Sequence, residues 1–169
     1  MRIALYVAGG LVALVLIVTV IGYLLPVAHV ASSDRTLAAP PDTIFALIST
    51  PVDFPKWRSD VKTVDILPAV DGKPRFRENG SNGPITMEIT EQVAPRRLVT
   101  RIVDTDLAFG GTWIFELTPA GAGTAVRITE NGEVYNPFFR FMARYVFGHT
   151  ATQQSYLNDL EKNDRKDVP

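Results

Sequence analysis

Residues 124–149 read TAVRITENGEVYNPFFRFMARYVFGH, and the change of period inside this stretch decides the fold. Val126, Ile128, Glu130, Gly132 and Val134 recur every second residue, the signature of a strand with one covered face. Asn136-Pro137 then supplies a helix N-cap followed by proline at the first helical position. From Phe138 to about residue 162 the apolar spacing is helical. The first half is crowded with Phe138, Phe139, Phe141, Met142, Tyr145, Val146 and Phe147, and the second keeps a narrower stripe of Tyr156, Leu157 and Leu160. Gly148 between the halves marks a kink. The charged tail beyond residue 160 is expected to fray.

Working back from this strand, the same period-two pattern runs to Val64. It is punctuated by turn chemistry at Asp71-Gly72, Asn79-Gly80, Asn82-Gly83, Pro95 and Gly121-Ala122-Gly123. Strands are expected near 63–68, 74–79, 84–94, 97–105, 108–118 and 123–135, an antiparallel meander. Ile85, Met87, Ile89 and Val93 share one face of the third strand, and Thr86, Glu88, Thr90 and Gln92 share the other, as in a sheet covered on one side. Trp113, Phe115 and Leu117 repeat the device. Asn79-Gly80-Ser81 matches a glycosylation acceptor, but a hairpin turn explains it better. Ahead of the meander lie an extended segment at 32–39, a helix from Asp42 carrying Ile44, Phe45, Leu47 and Ile48, and a second short helix to about Val61 with Asp53 as its N-cap. The class is α+β.

The N-terminus is of another kind. Ile3 to Leu25 gives 23 consecutive uncharged residues dominated by Ile, Leu, Val and Ala. As a helix they reach about 34 Å, enough to cross a bilayer with some tilt. A cleaved signal peptide wants a basic n-region and an apolar stretch of about 7 to 15 residues. Arg2 is a thin n-region and the stretch is too long, although Ala31 and Ser33 offer a small-x-small site. A retained single-pass anchor over residues 1–27 is therefore expected, followed by one domain over 28–162 and a tail over 163–169. Arg2 and the terminal amine on one side, against Arg35 offset by Asp34 on the other, favour a cytoplasmic N-terminus and a domain outside. Small-residue pairs such as Ala4 and Ala8 permit helix pairing without fixing an oligomeric state.

With Arg2 set aside, the rest of the chain carries 16 basic and 18 acidic side chains. That near-balance argues against nucleic acid as a partner, because phosphate binding needs a concentrated basic face. The absence of cysteine removes disulfides, thiolate nucleophiles and Cys-type zinc sites. His29 and His149 are too few and too far apart in sequence to predict a His-based triad or metal site. Gly-x-Ser-x-Gly, phosphate-loop and His-Glu-x-x-His motifs are missing as well. No metal and no cofactor are expected.

Pro41 with its helix, Asp53-Phe54-Pro55-Lys56-Trp57, Gly110-Gly111-Thr112-Trp113 and Thr129-Glu130-Asn131-Gly132-Glu133-Val134 running into Asn136-Pro137 carry a resemblance. In this order they resemble the Bet v 1-like or START-like (SRPBCC) superfamily, in its polyketide cyclase/dehydrase branch, over about residues 32–162. The resemblance implies a helix-grip fold: a curved antiparallel sheet of about seven strands around a long C-terminal helix, with two short helices after the first strand. It also implies an apolar cavity between sheet and helix that accepts a hydrophobic small molecule or lipid. The added N-terminal helix departs from plain members, and fold alone fixes a site better than a reaction.

Within that frame the ligand-binding candidates are Trp57, Met87, Glu91, Arg101, Trp113, Phe115, Glu130, Tyr135, Phe141, Met142 and Tyr145. Aromatic walls with a few polar tips suit flat or isoprenoid ligands. Glu130 shares its face with apolar residues, so it either points into the cavity as a desolvated acid or base, or is a structural carboxylate paired with an arginine or hydrogen-bonded near the strand end. Glu91 follows by the same alternation. Arg101 either points inward between Val99 and Val103, or outward with Leu98 and Ile102 inside. Phe138, Phe139 and Phe147 with Arg140 and Arg144 read as core aromatics with solvated arginines, or as an aromatic-basic patch on lipid headgroups. Three functions follow: a membrane-anchored carrier, a cyclase or dehydratase using Glu130, or an interaction protein with a collapsed cavity.

Overall fold

The computed structural model describes residues 2–81 and 83–165. Helix α1 (Arg2–Leu24) leads almost directly into β1 (Ala28–Leu37), followed by α2 (Pro41–Ser49), a 3-10 turn (Pro51–Asp53) and α3 (Phe54–Trp57). Six strands come next: β2 (Val61–Val70), β3 (Lys73–Gly80), β4 (Gly83–Val93), β5 (Arg97–Ile102), β6 (Phe109–Ala120) and β7 (Gly123–Val134). The chain closes with α4 (Pro137–Met142), a π-helical turn (Ala143–Phe147) and α5 (Ala151–Asp164). Each strand pairs antiparallel, in the order β1-β7-β6-β5-β4-β3-β2. The expected α+β helix-grip fold is the one observed. The Asn82-Gly83 turn falls on Asn82, outside the described residues.

The core lies between the concave face of the sheet and α2, α3 and α5. Ile44, Phe45 and Ile48 of α2, Leu98 of β5, Phe115 and Leu117 of β6, Val126 and Ile128 of β7 and Leu157 and Leu160 of α5 form one buried cluster. Burying each such side chain contributes about 1.5–3 kcal/mol. Polar ties fix α5 along the sheet. Ser59 donates through its backbone N and Oγ to Asp159 at 2.8 and 2.6 Å, and Asp164 accepts from the backbone N–H groups of Ala38 and Ala39 at 2.7 and 2.8 Å. The expected fraying therefore does not begin at residue 161: Glu161–Asp164 is ordered, and residues 166–169 lie outside the described set.

Two other expectations are corrected. The terminal helix is not one rod of some 25 residues. Asn136 caps it as expected, its Oδ1 accepting from the N–H groups of Phe138 and Phe139 at 2.9 and 3.2 Å. After one π turn, however, Gly148 adopts φ 77°, a left-handed conformation that side chains resist and that ends the helix. The helix gripped by the sheet is α5 alone, while α4 turns away to pack against α1. Asp53 is not a side-chain cap of α3; its carboxylate pairs with Lys56 Nζ at 2.5 Å instead.

Helix α1 is apolar on every side, exposed along most of its length, and long enough to cross a membrane. Its C-terminal end is not loosely hinged. A Cβ at Gly22 would stand 1.8 Å from the Pro137 carbonyl oxygen, so α1 and α4 touch backbone to backbone.

Candidate functional site

A chamber of about 320 Å³ lies between the sheet and α5. Phe76, Ile85, Met87, Ile102, Trp113 and Phe115 supply apolar wall from β3 to β6, and Tyr156 faces them from α5. The register puts these side chains together: Phe76 stands opposite Met87, Met87 opposite Ile102, and Thr100 opposite Trp113. Apolar enclosure with a few placed polar groups is the usual build of a small-molecule site.

At one end, Arg58 is held by two carboxylates. It donates to Asp60 through Nε at 3.1 Å and Nη2 at 2.7 Å, and to Glu78 through Nη1 at 2.7 Å. Its guanidinium also lies 5.2 and 5.0 Å from the ring centres of Phe54 and Tyr156, in cation–π range. Burial opposes the Arg58 charge, but Glu78 and Asp60 outweigh it and hold the pKa above the ordinary guanidinium value. Burial pushes the Glu78 carboxyl and the Tyr156 phenol up, despite Arg58 nearby.

The opposite end brings together residues that sequence spacing kept apart. His29 on β1 stands opposite Gly132 on β7, where no side chain competes for the space. Its Nε2 lies 3.8 Å from Glu130 Oε1, and its ring stacks on His149 at 3.9 Å between centroids. Burial pushes Glu130 upward, opposed in part by hydrogen bonds from Gln153 and Trp113. Burial lowers His29, with His149 adding to the effect, and burial followed by Arg144 lowers His149. Each group is thus biased toward its neutral form. Gln153 is fully buried; its Nε2 donates to the Ala31 carbonyl at 3.1 Å and reaches Glu130 Oε2 at 3.5 Å, leaving Oε1 without a partner. Among the described residues no three His, Cys, Asp or Glu side chains are arranged to hold a metal ion.

Of the residues expected to form the site, Met87, Trp113, Phe115 and Glu130 line the chamber. Trp57 is buried just behind it, edge-on to Phe54 and Tyr156. The others lie elsewhere, each for a local reason. A register shift between Ile89 and Glu91 breaks the alternation of β4, so Glu91 reaches the outer surface and pairs with Arg97 at 3.0 Å. β5 turns Leu98, Thr100 and Ile102 inward, which leaves Arg101 exposed. Tyr135 lies beyond the end of β7, half-exposed, its hydroxyl donating to Glu133 at 2.6 Å. Phe141, Met142 and Tyr145 belong to the segment that leaves the sheet. Phe141 packs near Gly22 of α1 and against Tyr145, with ring centres 4.9 Å apart. Sequence reasoning missed His29, His149, Arg58, Glu78 and Tyr156. The signals available were the glycine at 132 opposite β1 and the helix break at Gly148.

Wrapped sheet, gripping helix and chamber with an inward carboxylate define a helix-grip domain of the hydrophobic-ligand-binding or cyclase type. The chain belongs to the family described as polyketide cyclase / dehydrase and lipid transport, whose model matches residues 28–162. Similar solved structures include a START superfamily protein from Mycobacterium smegmatis, 20% identical, covering 82% of this chain and 98% of that one with a TM-score of 0.67. The Zhui aromatase/cyclase of Streptomyces sp. R1128 is 14% identical over 84% of this chain and 96% of its own, also at 0.67. Ginseng major latex-like protein 151 from Panax ginseng, 13% identical, is covered in full against 85% of this chain, again at 0.67. At these identities the likeness is one of fold. No curated protein matches the chain by sequence.

Proposed function

We propose that this protein is a membrane-anchored binder or carrier of a hydrophobic small molecule or lipid, held between the sheet and α5. The observation that carries the reading is the chamber itself, about 320 Å³ with aromatic and aliphatic walls. A domain with a collapsed interior, kept for protein contacts alone, has no use for such a space. α1, long and apolar enough to cross a membrane, supports the placement beside a lipid-soluble supply. The test is a titration of the full chain in detergent with a fluorescent fatty acid, reading Trp113 emission at the wall. Saturable quenching that weakens in Trp113→Phe, with Trp57 behind the wall reporting the remainder, supports the reading, and unchanged emission counts against it.

A second reading is favoured by one observation, the contact of Glu130 with His29. A carboxyl biased toward its neutral form beside an imidazole biased the same way is suited to move a proton at a bound ligand, as a cyclase or dehydratase requires. Under this reading Glu130 is the acid or base, and His29 the group that exchanges the proton with it. A Glu130→Gln variant that keeps full turnover of a polyketide-like substrate removes this reading while leaving the carrier intact.

A further inference from the structure

The join between α1 and the domain is built from Arg140. This side chain is buried, and its guanidinium donates to the Gly22 and Leu25 carbonyls at 3.2 and 2.9 Å and to the Val134 and Tyr135 carbonyls at 2.9 and 3.0 Å. Gly22 lies in the last turn of α1 with Leu25 just after it, and Val134 ends β7 with Tyr135 just after it. One cation therefore bridges carbonyls at the helix C-terminus and at the strand end and locks the helix to the sheet. Val134 N–H adds a bond to the Val27 carbonyl at 2.9 Å, so the short link between α1 and β1 is itself tied down.

Beside this clamp, the segment that leaves the sheet exposes large apolar side chains: Phe139 at 52%, Tyr145 at 60%, Val146 at 58% and Phe147 at 65%. Tyr23 and Leu24 are exposed as well, at the end of the helix against which α4 packs. An aqueous monomer rarely presents such a patch. The chamber reaches the surface at the same end, since its exposed lining residues are Glu133, Gly148 and Thr152, with His149 just inside.

From this arrangement we infer that residues 137–148 form a bilayer-docking surface: α4 and the π turn rest in the interfacial layer of the membrane that α1 crosses, and the chamber mouth faces that layer. The inference rests on the anchored-carrier reading and deepens it. The occupant is lipid because the patch lies on the segment that Arg140 and the contact of Gly22 with Pro137 tie to an apolar helix long enough to cross a membrane, and Arg144, exposed on the π turn, is placed to meet headgroup phosphates. Arg140 takes no part in headgroup contact, being committed to backbone carbonyls. A ligand then enters from the acyl layer beneath Gly148 and passes His149, His29 and Glu130 before reaching the aromatic wall.

The chain contains no cysteine, so single-cysteine spin labels report one site each. Labels at Leu14→Cys in α1, Phe147→Cys in the patch and Asp71→Cys in the β2–β3 turn are placed in the full-length chain. Each variant is reconstituted in nanodiscs containing phosphatidylglycerol and phosphatidylcholine, and relaxation by dissolved oxygen is compared with relaxation by a water-soluble nickel chelate. The expected pattern is that labels 14 and 147 favour oxygen and label 71 favours nickel. If label 14 favours oxygen while label 147 responds like label 71, the docking surface is refuted and the carrier reading stands. If label 14 itself favours nickel, both the anchor and the docking surface fall.

Discussion

Nε2 of His29 and Oε1 of Glu130 stand 3.8 Å apart in the chamber, and burial biases each toward its neutral form. The two biases act on stability in opposite pH windows. A carboxyl whose folded pKa is raised adds stability that is fully present below its ordinary value of 4.5 and is lost as pH rises through the folded value. His29 and His149, lowered from 6.5, add stability that is present above that value and is lost as pH falls through their folded values.

For Glu130→Gln the expected outcome is a higher melting temperature than the native chain at neutral pH, with the difference closing as pH falls toward 4.5. Thermal melts in detergent from pH 4 to pH 8 measure this, the range following from the ordinary carboxylate and imidazole values. Parallel pH curves for the two proteins refute a desolvated Glu130. Replacing His29 with Asn is expected to act in the other window, making the fold less sensitive to acid below about pH 6.5.

Arg58 illustrates how a partly buried charge is kept. Truncating it to Ala strands Glu78 and Asp60 without their cation, and the expected loss is about 3–5 kcal/mol of unfolding free energy. The double replacement Arg58→Met with Glu78→Leu removes both charges and is expected to recover a large part of that loss. Chemical denaturation in detergent distinguishes the cases: a double variant no more stable than the single one shows that the network is not coupled.

Arg101 is a control of opposite expectation. Because β5 turns it outward, Arg101→Ala is expected to change stability by no more than about 0.5 kcal/mol and to leave ligand occupancy unaltered. A clear fall in occupancy for this variant contradicts the placement of Leu98, Thr100 and Ile102 on the inner face.

The contrast between Glu130 and Glu91 shows how far the sequence could be read. Both sit on an apolar alternation, and Glu130 does face inward because β7 runs in uninterrupted register against β1 and β6. Glu91 does not, because the register of β4 shifts after Ile89, and nothing in the local residue pattern marks that shift. The terminal helix repeats the lesson. Asn136-Pro137 was legible as its start and Gly148 as a kink, but the kink separates two elements with different partners, which removes Phe141, Met142 and Tyr145 from the chamber. His29 and His149 meet only through pairing across the whole length of the domain, a contact that local spacing does not encode. Strand periodicity and caps are local and could be read; the cluster at the mouth is long-range and could not.

An apolar molecule inside the chamber differs in occupancy from lipid that merely coats α1. Native mass spectrometry of the full-length chain, compared with a Met87→Trp variant whose larger side chain narrows the chamber at its wall, separates the two. One retained apolar molecule per native chain and a large loss of occupancy in the variant are expected, with both proteins folded. Equal occupancy in the two, or a native chain recovered empty after incubation with total lipid extract, contradicts a ligand in the chamber.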